Sequence, residues 1–269
     1  MADGIDIIIP TKSKLDYLFD CLTSIVNTTV DTPYHVYVCD TGSTEQELSS
    51  IQKFLKETFS KKKNATLLKF DYYHFAKINN TVVEKYSKNP ILLFCNNDIK
   101  IIDNCIDIMQ LYIDDDIGTI GCRLIFKNGS IQHAGQAVRV VKEKQGDLYI
   151  VTHRGYGTFN SYEDGEDTLG NTGGFMMIKK DHFIEYGMFN EKYNECFEDV
   201  ELNVKLLLGG KRNIYIDSIQ AYHYESISRN DSNKQAKEFS DFKNILTPFF
   251  DSLTEQQLST ILKFKIKEQ

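Results

Sequence analysis

A few short polar clusters in this 269-residue chain combine residue types and settings that suit chemistry. The apolar run Ile91-Leu92-Leu93-Phe94-Cys95 stops on Asn96-Asn97-Asp98 before a second apolar pair at Ile101-Ile102. A carboxylate there is either a metal and phosphate ligand at the end of a strand or a turn residue, because Asn and Asp favour turns. Glu198-Asp199 opens a helical segment, where the dipole favours negative charge, so the pair either serves a site or caps the helix. His223 follows the segment Asp217–Tyr222 and lies near Ser226, Ser228 and Arg229; with a distant Asp it makes a candidate metal pair. His133-Ala134-Gly135 and His153-Arg154-Gly155 place two further histidines beside glycines, where backbone approaches closely.

Those clusters need elements to position them. Ile5–Ile9 is β-branched and ended by Pro10, and Leu15–Val26 carries apolar residues at helical spacing. Strand Tyr34–Cys39 ends on Asp40-Thr41-Gly42-Ser43, helix Glu45–Phe59 follows, then strand Leu67–Phe70, helix Ala76–Tyr86 and strand Ile91–Cys95. This alternation implies βαβ units and a parallel sheet, whose ligands bind beyond the carboxyl ends of the strands. Three of those ends are polar: Thr11-Lys12-Ser13, Asp40-Thr41-Gly42-Ser43 and Asn96-Asn97-Asp98.

The second half differs. Ile120–Phe126, Ala137–Val141 and Tyr149–Thr152 read as strands, Phe175–Ile178 is an apolar run after Gly173-Gly174, and Phe197–Leu208 reads as a helix closed by Gly209-Gly210. Residues 153–172 are polar and glycine-rich and read as a long mobile loop. Ile214–Ile216 reads as the last strand, and an amphipathic helical tail starts at Asn233.

Composition narrows the function classes. The chain is 41% hydrophobic and 26% charged with 4 Pro, as in a soluble globular protein. A net charge of −7 disfavours broad nucleic-acid binding. Cysteines 21, 39, 95, 105, 122 and 196 show no C-x-x-C spacing and read as reduced core thiols. No signal-peptide pattern precedes Ile5 and no apolar run approaches membrane-spanning length, so a cytoplasmic location is expected. G-x-G-x-x-G after the first strand, a P-loop and a G-x-S-x-G elbow are all missing, which disfavours a nicotinamide dehydrogenase, a P-loop enzyme and an α/β-hydrolase.

Taken in order, several segments resemble the family 2 glycosyltransferases, from about Ile5 to Ser228. Ile7-Ile8-Ile9-Pro10-Thr11 resembles the family's opening strand, and Val38-Cys39-Asp40-Thr41-Gly42-Ser43-Thr44 its second-strand motif. Phe75-Ala76-Lys77-Ile78-Asn79-Asn80 and Ser130-Ile131-Gln132-His133-Ala134-Gly135 resemble segments of rhamnosyltransferase-like members. Phe94-Cys95-Asn96-Asn97-Asp98 matches the position of D-x-D, with Asn96 in place of the first Asp. Gly173-Gly174-Phe175-Met176-Met177-Ile178, Phe197-Glu198-Asp199-Val200-Glu201-Leu202 and the His223/Ser228 pair match later motifs.

The resemblance implies an α/β GT-A fold: a Rossmann-like mixed sheet with flanking helices and a C-terminal helical appendage. It implies a GT-A domain over residues 1–230, with a nucleotide-binding half (1–100) and an acceptor and catalytic half (101–230), and a helical tail over 231–269. The implied reaction moves a sugar, with inversion, from a UDP- or dTDP-sugar to a hydroxyl of a glycan or lipid-linked acceptor. Asp98 and His223 would hold Mn²⁺ or Mg²⁺, Asp199 would be the general base, and Glu198 would orient the acceptor or the helix start. Asp40 would accept a hydrogen bond from the base. Thr11, Lys12, Ser43, Asn96, Asn97 and Gly174 would line the donor's path. Lys77 would either reach the diphosphate or stand as a solvated surface lysine. The loop 153–172 would cover the donor.

Two other readings have sequence tests. A sugar-phosphate nucleotidyltransferase would carry a glycine-rich basic loop after its first strand, and Pro10-Thr11-Lys12-Ser13 lacks the glycines. A glycan-binding scaffold with lapsed catalysis is disfavoured by the retained Asp98, Asp199 and His223. The stretch Leu253–Lys267, with Lys263, Lys265 and Lys267, would pack on the domain or on a second copy in a homodimer, or touch a membrane surface peripherally.

Overall fold

The computed structural model describes residues 3–59, 64–143, 146–194, 196–224 and 234–266. The first half alternates β1 (Ile5–Thr11), α1 (Leu15–Thr28), β2 (Tyr34–Asp40), α2 (Glu45–Phe59), β3 (Ala65–Lys69), α3 (Phe75–Lys85) and β4 (Ile91–Cys95). The strands pair in parallel in the order β3-β2-β1-β4. All seven residues of β1 are buried, because helices cover both faces of the sheet.

Pro10 does not end β1 as expected. The Thr11 carbonyl accepts from Thr41 N–H on the β2 side, so the Pro10 nitrogen faces the β4 side. Pairing with β4 stops at Ile8↔Phe94, so the missing N–H removes no ladder bond there. The strand therefore reaches Thr11, which pairs with Asp40.

The second half continues with β5 (Ile99–Ile101), α4 (Cys105–Leu111), β6 (Ile117–Ile125), β7 (Ile131–His133), β8 (Gln136–Glu143), β9 (Gly146–His153), β10 (Glu166–Thr168), β11 (Phe175–Lys179), α5 (Lys180–Glu185), α6 (Glu198–Leu208) and β12 (Arg212–His223). β11 lies antiparallel to β4 and β6, which extends the sheet to β10-β12-β6-β11-β4-β1-β2-β3, while β5 joins β12 and β7 joins β6. β8 and β9 form a separate hairpin. One apolar core on one face of the sheet takes in Leu18, Leu22 and Ile25 of α1, Ile51 of α2 and Ile106 and Met109 of α4. The opposite core takes in Ile78 and Val82 of α3, Phe183 of α5, and Leu202 and Leu206 of α6.

Two expectations change here. The last strand is not Ile214–Ile216 but twelve residues, Arg212–His223, with an irregularity between Ile216 and Gln220 that hides its alternation. The segment 153–172 is pinned rather than loose. Arg154 donates to the Ala134 carbonyl at 2.7 Å, pairs with Glu166 at 2.9 Å and stacks on Tyr162. Asp164 accepts from the amides of Asp217 and Ser218, and β10 pairs with β12.

The tail forms α7 (Lys234–Asp241), a π-helical turn over Phe242–Leu246, α8 (Thr247–Asp251) and α9 (Glu255–Ile261). Leu246, Phe250 and Ile261 bury against Val138 of β8 and Val200 and Val204 of α6, so the tail packs on the domain. Among the described residues, no helix is long and apolar enough to cross a membrane. Ser226, Ser228, Arg229, Asn233 and Lys267 lie outside the described residues.

Candidate active site

The polar strand ends meet because the strands are parallel and in register. Asn97, just past β4, donates from Nδ2 to Thr11 Oγ1 at the end of β1 at 2.9 Å. Asp40, at the end of β2, accepts from Ser43 Oγ at 2.5 Å and from the amides of Gly42 and Ser43 at 3.3 Å. Both Thr11 and Asp40 are buried, whereas Lys12 is exposed in the turn that follows.

Asp98 and His223 are brought together by topology. The chain turns at Asn96-Asn97-Asp98 and enters β5, which pairs antiparallel to the end of β12 with His223 opposite Ile99. His223 Nε2 then stands 3.3 Å from Asp98 Oδ1 and 3.3 Å from Asn96 Nδ2. Its Nδ1 lies 2.6 Å from Gln132 Oε1, an acceptor, so Nδ1 carries a proton and the neutral ring offers Nε2 as its ligating atom. A carboxylate oxygen and an imidazole lone pair facing one another suit a divalent cation of the Mn²⁺ or Mg²⁺ kind. Among the described residues no three His, Cys, Asp or Glu side chains converge to hold a metal ion.

Gly173-Gly174 lets the other wall approach. A Cβ on Gly174 would stand 3.1 Å from Asn96 Nδ2 and 3.4 Å from His223 Cε1, so a side chain there crowds Asn96 and touches the His223 ring. The Gly173 amide donates to Asp199 Oδ2 at 2.8 Å, and the Val200 amide donates to Oδ1 at 2.7 Å. Burial pushes the Asp199 carboxyl above the ordinary carboxylate range, while these amides oppose the shift. The cap position of α6 is Phe197, with no side-chain cap bond, while Asp199 takes up the Val200 amide of the first turn as well as the Gly173 amide across the cleft. Phe197 has φ 80°, a left-handed conformation that costs about 1–2 kcal/mol for a bulky residue, and it turns Glu198 and Asp199 into the cleft.

A buried amide network fixes this wall to the sheet. Asn203 of α6 donates to the carbonyls of Asn171 and Asp199, both at 2.8 Å, and accepts from Thr119 Oγ1 at 2.7 Å. Asn213 of β12 donates to the carbonyls of Leu169 and Asn203.

The result is a cleft of about 260 Å³. It gathers Asn96, Asn97, Asp98, Gly174, Glu198, Asp199 and His223. Thr11, Asp40 and Ser43 adjoin it behind Asn97 rather than lining it. Lys77 is elsewhere: its Nζ is 2.7 Å from Tyr72 Oη, and both line a second hollow beside β3. His153, Gln136, Tyr73 and Glu238 also line the cleft without having been singled out for it. His153 stood out in the sequence only as a histidine next to glycine. Gln136 and Glu238 had no signal, since the first sits in an apolar strand and the second in a tail remote in sequence.

A family model described as Glycosyl transferase family 2 matches residues 6–187. The O-antigen biosynthesis protein RfbC of Myxococcus xanthus is 26% identical over 230 residues, which cover 84% of this chain and 18% of that protein. The chain spans a quarter or less of the curated relatives it matches. Among solved structures, the mannosyltransferase PcManGT of Pyrobaculum calidifontis, in complex with GDP-Man and Mn²⁺, aligns with a TM-score of 0.66 at 14% identity, over 98% of this chain and 69% of that one. GalNAc-T7, solved with UDP, GalNAc and Mn²⁺, aligns with a TM-score of 0.64 at 11% identity, over 83% of this chain and 44% of that one. The fold is therefore GT-A, with the mixed sheet and flanking helices described above.

Proposed function

The chain belongs to the family 2 glycosyltransferases, and from that premise we propose that it transfers a sugar with inversion from a nucleotide-sugar to a hydroxyl of a glycan or lipid-linked acceptor. The observation that carries this reading is the cleft in which an Asp98–His223 pair and an amide-held Asp199 occur together.

Each residue has a role its setting supports. Asp98 and His223 would hold Mn²⁺ or Mg²⁺, which would supply positive charge to offset that of the departing diphosphate. Asn96 contributes a neutral donor where an acid would add charge. Asp199, with a raised affinity for protons, takes the proton of the acceptor hydroxyl as its oxygen attacks the anomeric carbon opposite the leaving group. Glu198 orients the acceptor or the helix start. Asp40 accepts from the N3–H of a uracil or thymine, which favours a UDP- or dTDP-sugar, and Thr11, Lys12, Ser43 and Asn97 border the donor's path. Lys77 would serve the diphosphate only by leaving Tyr72. The pinned segment 153–172 borders the cleft through His153 and Thr172 and contributes to acceptor choice. The O-antigen protein RfbC among the relatives supports a role in surface polysaccharide synthesis.

The test is release of nucleoside diphosphate from a panel of UDP-, dTDP- and GDP-sugars with and without Mn²⁺. Cation-dependent release from at least one donor, lost in Asp98→Asn, is the expected result. No release from any donor by folded protein would overturn the reading in favour of a glycan-binding scaffold.

A further inference from the structure

His133 and His153 form a contact that the proposed roles leave unused. His133 sits on β7 and is buried, while His153 closes β9 and lines the cleft with Asp199. Their Nδ1 atoms are 3.2 Å apart and the rings meet edge to face, with centroids 4.8 Å apart. Two imidazole nitrogens at that distance share one proton, so one ring donates and the other accepts.

A third contact bears on which, alongside a side-chain hydrogen bond between His133 and Asn171. The Thr172 amide points at His133 Nε2 at 3.4 Å. A backbone N–H can only donate, so Nε2 is the accepting nitrogen and the proton of His133 resides on Nδ1. His133 therefore donates to His153 Nδ1. That places the proton of a neutral His153 on Nε2, on the side of the ring away from His133. Burial also pushes His133 well below the ordinary histidine range, which keeps its ring neutral.

We propose that His133 is a positioning residue that fixes His153 as an Nε2–H donor in the cleft, where it holds the oxygen of the acceptor hydroxyl while Asp199 removes its proton. This role rests on the glycosyl-transfer reading. It also separates the two side chains by function: with its accepting nitrogen occupied, His153 cannot compete with Asp199 as the base. The same short strand holds Gln132 on His223 and His133 on His153, so β7 sets ring orientation on both sides of the cleft.

The first test is independent of turnover. In protein labelled with nitrogen-15 histidine, ring nitrogen–proton correlation spectra at neutral pH, assigned with single-site variants, read the tautomers directly. Protonation at Nδ1 of His133 and at Nε2 of His153 is expected; the opposite tautomers, or a doubly protonated His133, would overturn the assignment. The second test is kinetic. His153→Gln keeps a donor near the Nε2 position and His153→Asn does not; His133→Asn keeps a donor near Nδ1 and His133→Gln does not. In each pair the variant without the donor should lose about tenfold more kcat/KM for the acceptor, with the donor KM unchanged. Equal losses within both pairs would remove His153 from acceptor binding. Absence of any turnover in the wild-type protein would instead count against glycosyl transfer itself, leaving the tautomer result to stand or fall alone.

Discussion

Asn203 offers the sharpest test of how the catalytic wall is held. It is fully buried on α6, and its side chain makes three short hydrogen bonds: to the Asn171 carbonyl, to the Asp199 carbonyl and from Thr119. Asn203→Ala removes all three. Thr119 keeps a partner in Asn213 Oδ1 at 3.1 Å, and the carbonyl of Asp199 can still accept within the helix. The Asn171 carbonyl is left facing the gap. At roughly 1 kcal/mol per bond the loss comes to about 3 kcal/mol. For a chain of this size that lowers Tm by about 6–12 °C. Urea denaturation should show a lower midpoint at unchanged slope, because the same surface is exposed on unfolding. Because Asn203 also braces the turn that supplies the Gly173 amide, the activity should fall with the stability. A loss below about 1 kcal/mol would refute the reasoning, since it would mean that water replaces the network at no cost.

Asp199→Asn can keep one of its two amide bonds, so Tm should move by only a few degrees while kcat falls about 10²–10⁴-fold; kcat within tenfold of the wild type would exclude it as the base. In the wild-type enzyme the acid limb of the kcat–pH profile should lie above the ordinary carboxylate value of 3.8, because burial raises the Asp199 carboxyl and only its ionised form accepts a proton. Gly174→Ala should weaken Mn²⁺ binding, read by titration with the metal alone, since the new Cβ meets Asn96 and His223; unchanged affinity would show that the wall yields. His133 is depressed below 6.5 in the folded state, so between its folded value and 6.5 the unfolded chain binds more protons. The His133 contribution to stability is therefore present above about pH 6.5 and lost as the pH falls, and denaturation midpoints in His133→Asn should show a shallower acid slope.

The parallel half was legible from sequence because local pattern and tertiary role agree there. Ile5–Ile9, Tyr34–Cys39 and Ile91–Cys95 are mainly apolar, broken only by Asp6 and His35, as strands covered on both faces require, and each ends on polar residues at the same edge of the sheet. Asp40, Asn97 and Asp98 could thus be picked out before any pairing was known. The second half was less legible. β12 carries polar residues across its irregularity and is held as a strand by β6, β5 and β10, three partners remote in sequence. Residues 153–172 lack apolar periodicity, yet Arg154, Asp164 and Asp217 fix them through charged and backbone hydrogen bonds, which leave no periodic trace.

The chemistry divides along the same line. Residue type alone determined that Asp98 can bind a hard cation, that Asp199 can take a proton and that His223 can ligate through one nitrogen. Only the tertiary structure decided which of these act together. The pairing of β5 with β12 sets Asp98 beside His223, Gln132 holds the Nδ1 of that ring and leaves Nε2 facing Asp98, and the Gly173 amide and surrounding burial tune Asp199. It also separated Lys77 from the cleft and brought in His153 and Glu238. Distances of about 3 Å between residues more than a hundred positions apart are set by strand order and register, which no local stretch of sequence encodes.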